Sequence, residues 1–246
     1  MPHPTLDPEV QKPADADAQR IIRTITGRFE RKWLPRMASV MPQWVTPDIL
    51  TTGGIVASAV IGLCYVLSKF NPVWLWVVNG LFVVHWFADS LDGTLARVRK
   101  IERPRYGFFI DHSADAIAAL FVCLGLGLSP HMDLRVAFGL LLSYYLMMIY
   151  VLLRSYTLRE FKISFGRMGP TEIRIGLILA NVVIWIQSTY FRSDHLATLL
   201  GVKIRLMDVI AIGAGLVMAT IFIGTMIRSL RRLAELEPAG VVREDP

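Results

Sequence analysis

The stretch ADSLDGTLARVRKIERPRYGFFIDHSAD, residues 88–115, carries four aspartates between two apolar segments of the chain. Asp89 and Asp92 are three residues apart, and Asp111 and Asp115 are four apart. On helices, each spacing places both carboxylates on one face, one turn apart. Two such charges ~4 Å apart repel by roughly 4 kcal/mol at an effective dielectric of ~20. The cluster therefore predicts bound cations, and oxygen-only ligands favour hard ones such as magnesium, manganese or calcium.

The composition around this cluster is that of a membrane protein. The chain has 246 residues, of which 54% are hydrophobic, and its mean hydropathy is +0.48. A soluble protein with buried helices does not explain six stretches that lack Asp, Glu, Lys and Arg over about the length that a bilayer requires. These stretches are 49–68, 72–88, 116–132, 136–153, 175–191 and 209–227. Backbone polar groups in lipid must pair within their own segment, so the sequence predicts an all-α, polytopic fold with six transmembrane helices.

The predicted membrane domain has flanking segments of a different character. Residues 1–17 are polar and proline-rich, which predicts a disordered N-terminal tail. Residues 18–40 combine basic side chains with apolar ones at helical spacing, which predicts an amphipathic helix on the membrane surface or, more simply, a basic flank. The six-helix transmembrane domain is expected at 46–230, and a polar C-terminal tail at 231–246.

Local signals give the expected ends of the helices near the aspartates. Thr46 is a predicted N-cap, with Pro47 in the first helical position and an acidic residue after it. The second span is expected to continue through residues 89–99, and Gly107 is expected to open the third span. His85, one turn before Asp89, is either a partner of that carboxylate or a packing residue.

The basic residues are distributed asymmetrically between the connections. Of the 26 Lys and Arg residues, 21 lie before the first span, after the second, after the fourth and after the sixth. The positive-inside rule then places both termini and the aspartates in the cytoplasm, which in a bacterium makes this an inner-membrane protein. The net charge of +6 is concentrated on that side and indicates anionic membrane lipid or a phosphorylated substrate as partner, not a nucleic acid.

Small residues alternate with the carboxylates, and Arg97 follows them, which suggests a cradle for a metal-bound diphosphate. The full pattern is Asp89-x2-Asp92-Gly93-x2-Ala96-Arg97-x9-Gly107-x3-Asp111-x3-Asp115. It resembles the signature of the CDP-alcohol phosphotransferase family at every fixed position. The resemblance covers residues 18–230 and implies a homodimer of six-span subunits. It also implies transfer of a substituted phosphate from a CDP-linked donor to an alcohol, with release of CMP.

The resemblance implies a role for each motif residue. Asp89, Asp92 and Asp111 are expected to hold two divalent cations, Mg²⁺ or Mn²⁺, and Asp115 to be both a shared ligand and the general base. The nucleotide-binding residues are expected to be Thr51, Asp92, Gly93, Ala96, Arg97 and Gly107. The family often has a Pro-Asn-x-x-Thr element at the first span, whereas this chain has Pro47-Asp48-x-x-Thr51. The added charge at Asp48 favours an ordinary role at the helix start.

The resemblance also implies that the connection between the fourth and fifth spans faces the same cytoplasmic cavity and helps to select the alcohol, with Glu172 and Arg174 oriented into that cavity. The predicted acceptor-binding residues are Arg154, Lys162, Arg167, Glu172 and Arg174. Their positive charges suit a phosphate on the acceptor or on a lipid. The alternatives are positive-inside charge for the basic residues and an ordinary helix start for Glu172.

Two substrate arrangements agree with the motif. In the first, CDP-diacylglycerol donates its phosphatidyl group to a small polar alcohol, and the basic cluster favours this arrangement. In the second, a CDP-amino alcohol donates its substituted phosphate to diacylglycerol. The element Pro170-Thr171-Glu172 is similar to choline/ethanolamine phosphotransferases, and Glu172-x-Arg174 to enzymes that use inositol phosphate. Two other classes compete: a divalent-cation transporter, whose site belongs at the bilayer midplane, and a scaffold without activity, which would not need all four aspartates.

Overall fold

The computed structural model describes residues 27–158, 170–190, 196–199 and 202–236. In chain order its elements are α1 (Gly27–Ser39), α2 (Pro47–Leu67), α3 (Trp74–Arg99), α4 (Pro104–Leu128), α5 (Leu134–Leu158), α6 (Pro170–Tyr190), β1 (Ala197–Leu199), β2 (Val202–Ile204) and α7 (Leu206–Leu236). The two short strands pair antiparallel, with Ala197 opposite Ile204. The described part of the protein is thus a helical bundle with one small hairpin, and the predicted all-α fold class is confirmed.

Within the residues that the structure describes, five helices are long and apolar enough to cross a membrane: α2, α4, α5, α6 from Thr171, and α7. The second predicted span, residues 72–88, lies mostly in α3, which is 26 residues long but becomes charged from Asp89 onward. The membrane class is therefore supported by five helices, and a count of six stays a prediction. Large apolar side chains on the outer faces of these helices are exposed, as lipid contact requires.

Several predicted helix ends agree with the structure. The backbone N–H of Ile49 donates to Thr46 Oγ1 at 3.2 Å, which is the expected N-cap of α2. Helix α3 continues to Arg99 as expected and ends where Lys100 adopts a left-handed φ of 57°. The expectation that Gly107 opens the next helix is wrong. Helix α4 begins at Pro104, because proline is pre-organised for the first helical turn and its missing N–H is not needed there.

Helix α1 covers residues 27–39 of the predicted amphipathic segment, and residues 18–26 lie outside the described residues. Leu34 and Ala38 of α1 are buried against Leu91 and Leu95 of α3. Helix α1 therefore packs on the same part of α3 that carries two of the aspartates.

Helix α2 lies between α3 and α4 and is packed against both. It meets α4 most closely at Gly62, where an added Cβ would lie 2.5 Å from the carbonyl oxygen of Phe121. Such an approach requires glycine, as at other close crossings of membrane helices. This crossing fixes the position of α4 relative to α2.

A buried polar chain joins α6 to the centre of the bundle. The Tyr65 hydroxyl of α2 donates to Asn181 Oδ1 of α6 at 3.0 Å, and Asn181 Nδ2 donates to Asn79 Oδ1 of α3 at 2.8 Å. All three side chains are buried. Hydrogen bonds between buried side chains are specific in direction, so this chain sets how α6 lies on α3.

Candidate active site

The four motif aspartates line one pocket at the end of the bundle where α3 ends and α4 begins, which we call the aspartate end. The pocket encloses about 270 Å³, part of it open to solvent. Its lining residues are Thr51, Gly54, Ile55, His85, Asp89, Asp92, Asp111, Ala114 and Asp115. Helices α2, α3 and α4 each contribute one wall, so the packing of α3 and α4 on the two sides of α2 is what brings the two aspartate pairs together.

Asp92 is held in place by α2. Its Oδ2 accepts a hydrogen bond from Thr51 Oγ1 at 2.6 Å, and its Oδ1 accepts from the Gly93 N–H at 2.5 Å. The Thr51 hydroxyl also lies 3.1 Å from the carbonyl oxygen of Pro47. Thr51, predicted as a nucleotide contact, therefore also orients one of the predicted metal ligands.

Asp89 forms an ion pair with Arg174 of α6, with 2.7 Å between Oδ2 and Nη2. The Arg174 side chain is only 12% exposed and Asp89 28%, so this contact is partly screened from water. Arg174 was predicted to contact the acceptor. The structure brings it to the wall of the aspartate pocket, with Asp89 as a partner that the sequence did not indicate.

Glu30 of α1 bridges α3 and α6 one turn from this ion pair along each helix. Its Oε1 accepts from Trp86 Nε1 at 3.2 Å and from Thr171 Oγ1 at 2.7 Å. Trp86 is three residues before Asp89, and Thr171 is three before Arg174. At the aspartate end, α6 is thus fixed against α3 in two ways. The ion pair of Asp89 with Arg174 joins the two helices directly, and Glu30 joins them through α1. The sequence analysis missed Glu30, because an acidic residue in a basic amphipathic helix has no distinguishing pattern.

The remaining nucleotide candidates lie along the last turns of α3 and the first turn of α4. Arg97 Nη2 donates to Thr94 Oγ1 at 3.0 Å, and a Cβ on Gly93 would lie 3.4 Å from Arg97 Nη1. Ala96 is half-buried one residue before Arg97, whereas a Cβ on Gly107 would meet nothing within 4 Å. These residues are not among those that line the pocket, so their nucleotide contacts stay predictions.

The predicted acceptor residues are only partly described. Lys162 and Arg167 lie outside the described residues. Arg154 lies in the last turns of α5, and Glu172 lies in the first turn of α6, where a helix N-terminus favours an acidic residue. Arg174 contacts a pocket residue, Asp89.

Asp48 has a structural partner of its own. Its two carboxylate oxygens accept from Arg103 Nη2 at 2.5 and 2.7 Å, and the Arg103 guanidinium lies 4.0 Å from the ring centroid of Tyr106. The hydrogen bonds that Arg103 donates to Asp48 raise the pKa of Arg103. This pair ties the start of α2 to the residue before α4, which gives the departure from asparagine a structural reason.

The carboxylates of the pocket fit hard divalent cations, because the four aspartates and the Thr51 hydroxyl supply oxygen ligands, and His85 adds one imidazole to the lining. Within the described ranges, no three acidic, histidine or cysteine side chains stand close enough to form a ready-made metal site. The contact between Asp89 and Arg174 shows that a cation is already used to offset the negative charge of the pocket.

The sequence is similar to known proteins. A family model described as CDP-alcohol phosphatidyltransferase matches residues 44–227. The chain is 23% identical to rat (Rattus norvegicus) cholinephosphotransferase 1 over 187 residues, which are 72% of this chain and 46% of that protein. It is 27% identical to the zebrafish (Danio rerio) protein of the same name over 195 residues, 73% of this chain and 48% of the relative. The chain thus spans about half the length of these relatives.

A bacterial protein, phosphatidylinositol phosphate synthase of Cutibacterium acnes, is 33% identical over 85 residues, which are 34% of this chain and 38% of that protein. The family match extends from just before α2 into α7 and contains all four aspartates of the pocket. The chain belongs to the CDP-alcohol phosphatidyltransferase family.

Proposed function

We propose that this protein transfers a substituted phosphate from a CDP-linked donor to the hydroxyl of an alcohol, releasing CMP, in phospholipid synthesis. The observation that carries the proposal is the single pocket lined by Asp89, Asp92, Asp111 and Asp115 at one end of an apolar helical bundle. A substrate with a charged diphosphate and a lipid part meets both environments at such a boundary.

The proposed reaction is a displacement at the β-phosphorus of the donor. The alcohol oxygen forms a bond to that phosphorus, and the bond from phosphorus to the bridging oxygen breaks, so CMP leaves with that oxygen. The hydroxyl proton moves to a carboxylate of the protein. Asp115 lines the pocket and is the proposed base, because a carboxylate near the acceptor hydroxyl can take its proton as the new bond forms.

The other aspartates bind and orient the donor. We assign Asp89, Asp92, Asp111 and Asp115 as the residues that hold two divalent cations, which when bound neutralise the diphosphate charge and favour in-line transfer. The hydrogen bond from Thr51 keeps the Asp92 carboxylate turned toward the pocket. Gly93, Ala96, Arg97 and Gly107 are the proposed nucleotide contacts, with the positive charge of Arg97 suited to a phosphate.

Arg174 is the proposed contact for an anionic group of the acceptor or donor, because it lies beside the pocket and is largely buried. Arg154, Lys162, Arg167 and Glu172 remain proposed acceptor residues on the sequence alone. The basic cluster favours CDP-diacylglycerol with a polar, anionic alcohol. The longer matches are to proteins named cholinephosphotransferases, and they favour a CDP-amino alcohol with diacylglycerol.

The membrane arrangement completes the proposal. We place the aspartate end and both termini in the cytoplasm, because most of the basic residues flank that side. Helix α1 would then lie on the cytoplasmic surface, and the chain would assemble as a homodimer through exposed apolar helix faces. Labelling of single cysteines from each side of the membrane and the mass of the purified complex test these two points.

The experiment that tests the function is CMP release by the purified protein in detergent with Mg²⁺. One arm supplies CDP-diacylglycerol with glycerol 3-phosphate, serine or inositol phosphate. The other supplies CDP-choline or CDP-ethanolamine with diacylglycerol. Release stimulated by one alcohol identifies the donor class and the acceptor together. No release in any arm, combined with no Mg²⁺-dependent binding of CDP, would refute the proposal.

A further inference from the structure

His85 is part of the pocket wall, although it is outside the aspartate motif. It lies on α3, four residues before Asp89, and therefore one helical turn further from the aspartate end. Its side chain is only 8% exposed, and the residue lines the same pocket as the four aspartates. The imidazole is therefore at the inner part of the pocket.

The Nδ1 atom of His85 is buried and has no hydrogen-bond partner within the described part of the chain. By contrast, Asp89 on the same helix is bonded to Arg174, and Asp92 to Thr51. Nearly all buried polar atoms in native proteins are hydrogen-bonded, and leaving one without a partner is unfavourable. A polar atom in the wall of a binding site is left without a partner in the ligand-free protein when the ligand supplies its hydrogen bond.

The surroundings of His85 indicate what kind of group that is. The pocket residues from the neighbouring helices include Gly54, Ile55 and Ala114, which are small or apolar. Arg174 lies beside the pocket and can bind a charged group of a substrate. Cations that the carboxylates would hold can bind the others. An uncharged hydrogen-bonding group is therefore the best match for the inner part of the pocket.

We propose that Nδ1 of His85 hydrogen-bonds the hydroxyl group of the acceptor alcohol and so positions it for transfer. In this arrangement the Nδ1–H donates to the hydroxyl oxygen, which leaves the hydroxyl proton free to face the carboxylate of Asp115. The oxygen lone pair that remains is the one that attacks phosphorus. This inference rests on the proposed transferase function and adds to it the residue that selects and orients the alcohol.

Three substitutions at one position test the proposal. In His85→Asn the amide has the same number of bonds from the backbone as Nδ1, whereas in His85→Gln it is one bond further out. His85→Phe keeps a ring and removes the polar atoms. For each variant we would measure KM for the alcohol that stimulates CMP release, KM for the donor, and Mg²⁺-dependent CDP binding by calorimetry.

We expect His85→Phe and His85→Gln to raise KM for the alcohol roughly tenfold, which corresponds to the loss of one hydrogen bond. A contact kept from the bound state through the transition state changes KM and leaves kcat nearly unchanged. His85→Asn should stay within about threefold of the wild type, since it restores a donor at the same place. Donor KM and CDP binding should stay within about twofold.

Equal alcohol KM in all variants would overturn the inference, as would weaker CDP binding with unchanged alcohol KM, which would assign His85 to the donor. An Asn variant as impaired as the Phe variant would also overturn it, because the δ position would then be irrelevant. If the Phe variant does not fold, the comparison of Asn with Gln decides alone. A wild-type protein that releases no CMP would refute the transferase function instead, so the two failures are distinguishable.

Discussion

Replacing Gly62 by alanine tests whether the crossing of α2 and α4 sets the geometry of the pocket. An added Cβ would lie 2.5 Å from the Phe121 carbonyl oxygen and 3.2 Å from its carbonyl carbon. Favourable separations are about 3.5–4.0 Å, so the two helices must move apart by about 1 Å. Both contacts are backbone atoms, which cannot rotate away as a side-chain end could.

The cost of such overpacking is typically about 1–3 kcal/mol. For a chain of this size, each kcal/mol lowers the melting temperature by roughly 2–4 °C, so Gly62→Ala should melt roughly 2–12 °C lower. Because α2 carries Thr51 and α4 carries Asp115 on facing walls of the pocket, CMP release should also fall, by up to roughly 100-fold for a 1 Å displacement. Thermal unfolding in detergent and the CMP assay measure the two effects.

Gly53→Ala is the matched control on the same helix, because a Cβ at Gly53 would meet nothing within 4 Å. Alanine is the better helix former by about 1 kcal/mol, so this variant should be at least as stable as the wild type. Gly125→Ala approaches the same crossing from α4 and would place its Cβ against the backbone of Gly62, so it should resemble Gly62→Ala. A Gly62→Ala protein with wild-type stability and activity, or a Gly53→Ala protein with the same loss, would refute the reasoning.

Three further changes probe the pocket and its supports. Asp115→Asn should lower CMP release by roughly 10²–10⁴-fold while Mg²⁺-dependent CDP binding persists, and near-normal turnover would exclude it as the base. Arg174→Gln should bind Mn²⁺ several-fold more tightly than the wild type in the absence of nucleotide, because Arg174 competes with the metal for Asp89. Electron paramagnetic resonance measures this binding, and unchanged or weaker binding would contradict the competition. Glu30→Ala should cost roughly 1–3 kcal/mol of stability, because Trp86 and Thr171 lose their acceptor, and Glu30→Gln should recover part of that loss. If both variants are as stable as the wild type, the bridge is unimportant.

The features that the sequence predicted correctly are local ones. The Thr46 cap, the continuation of α3 to Arg99 and the helical start at Pro170 depend on neighbouring residues and on helix periodicity. The aspartate spacing is equally local, since residues three and four apart share a helix face wherever the helix lies. The count of six spans stays a prediction, because α3 combines an apolar part with a charged one and is not among the five helices that are long and apolar enough to cross a membrane.

Contacts between distant helices could not be predicted in this way. The partner of Asp89 depends on how α6 is rotated and placed, and the buried chain from Tyr65 to Asn79 through Asn181 fixes that placement. Nothing in the spacing of Arg174 within its own segment distinguishes a side chain that contacts the pocket from one that only faces the membrane surface. The tertiary packing determines that choice, so the sequence could suggest that Arg174 faces the cavity but could not identify Asp89 as its partner.

The ion pair between Asp89 and Arg174 links two of the proposed binding events. A guanidinium that donates to Asp89 Oδ2 at 2.7 Å competes with a divalent cation for that carboxylate, because the two positive groups would repel at close range. Binding of a cation at Asp89 should therefore weaken the hold of that residue on Arg174, and by reciprocity Arg174 should weaken the cation. Once released, the guanidinium beside the pocket becomes available to a phosphate or other anion of a substrate. The metal-bound protein should accordingly bind an anionic substrate more tightly than the metal-free protein does, and Arg174→Gln should lose that difference while it retains the metal.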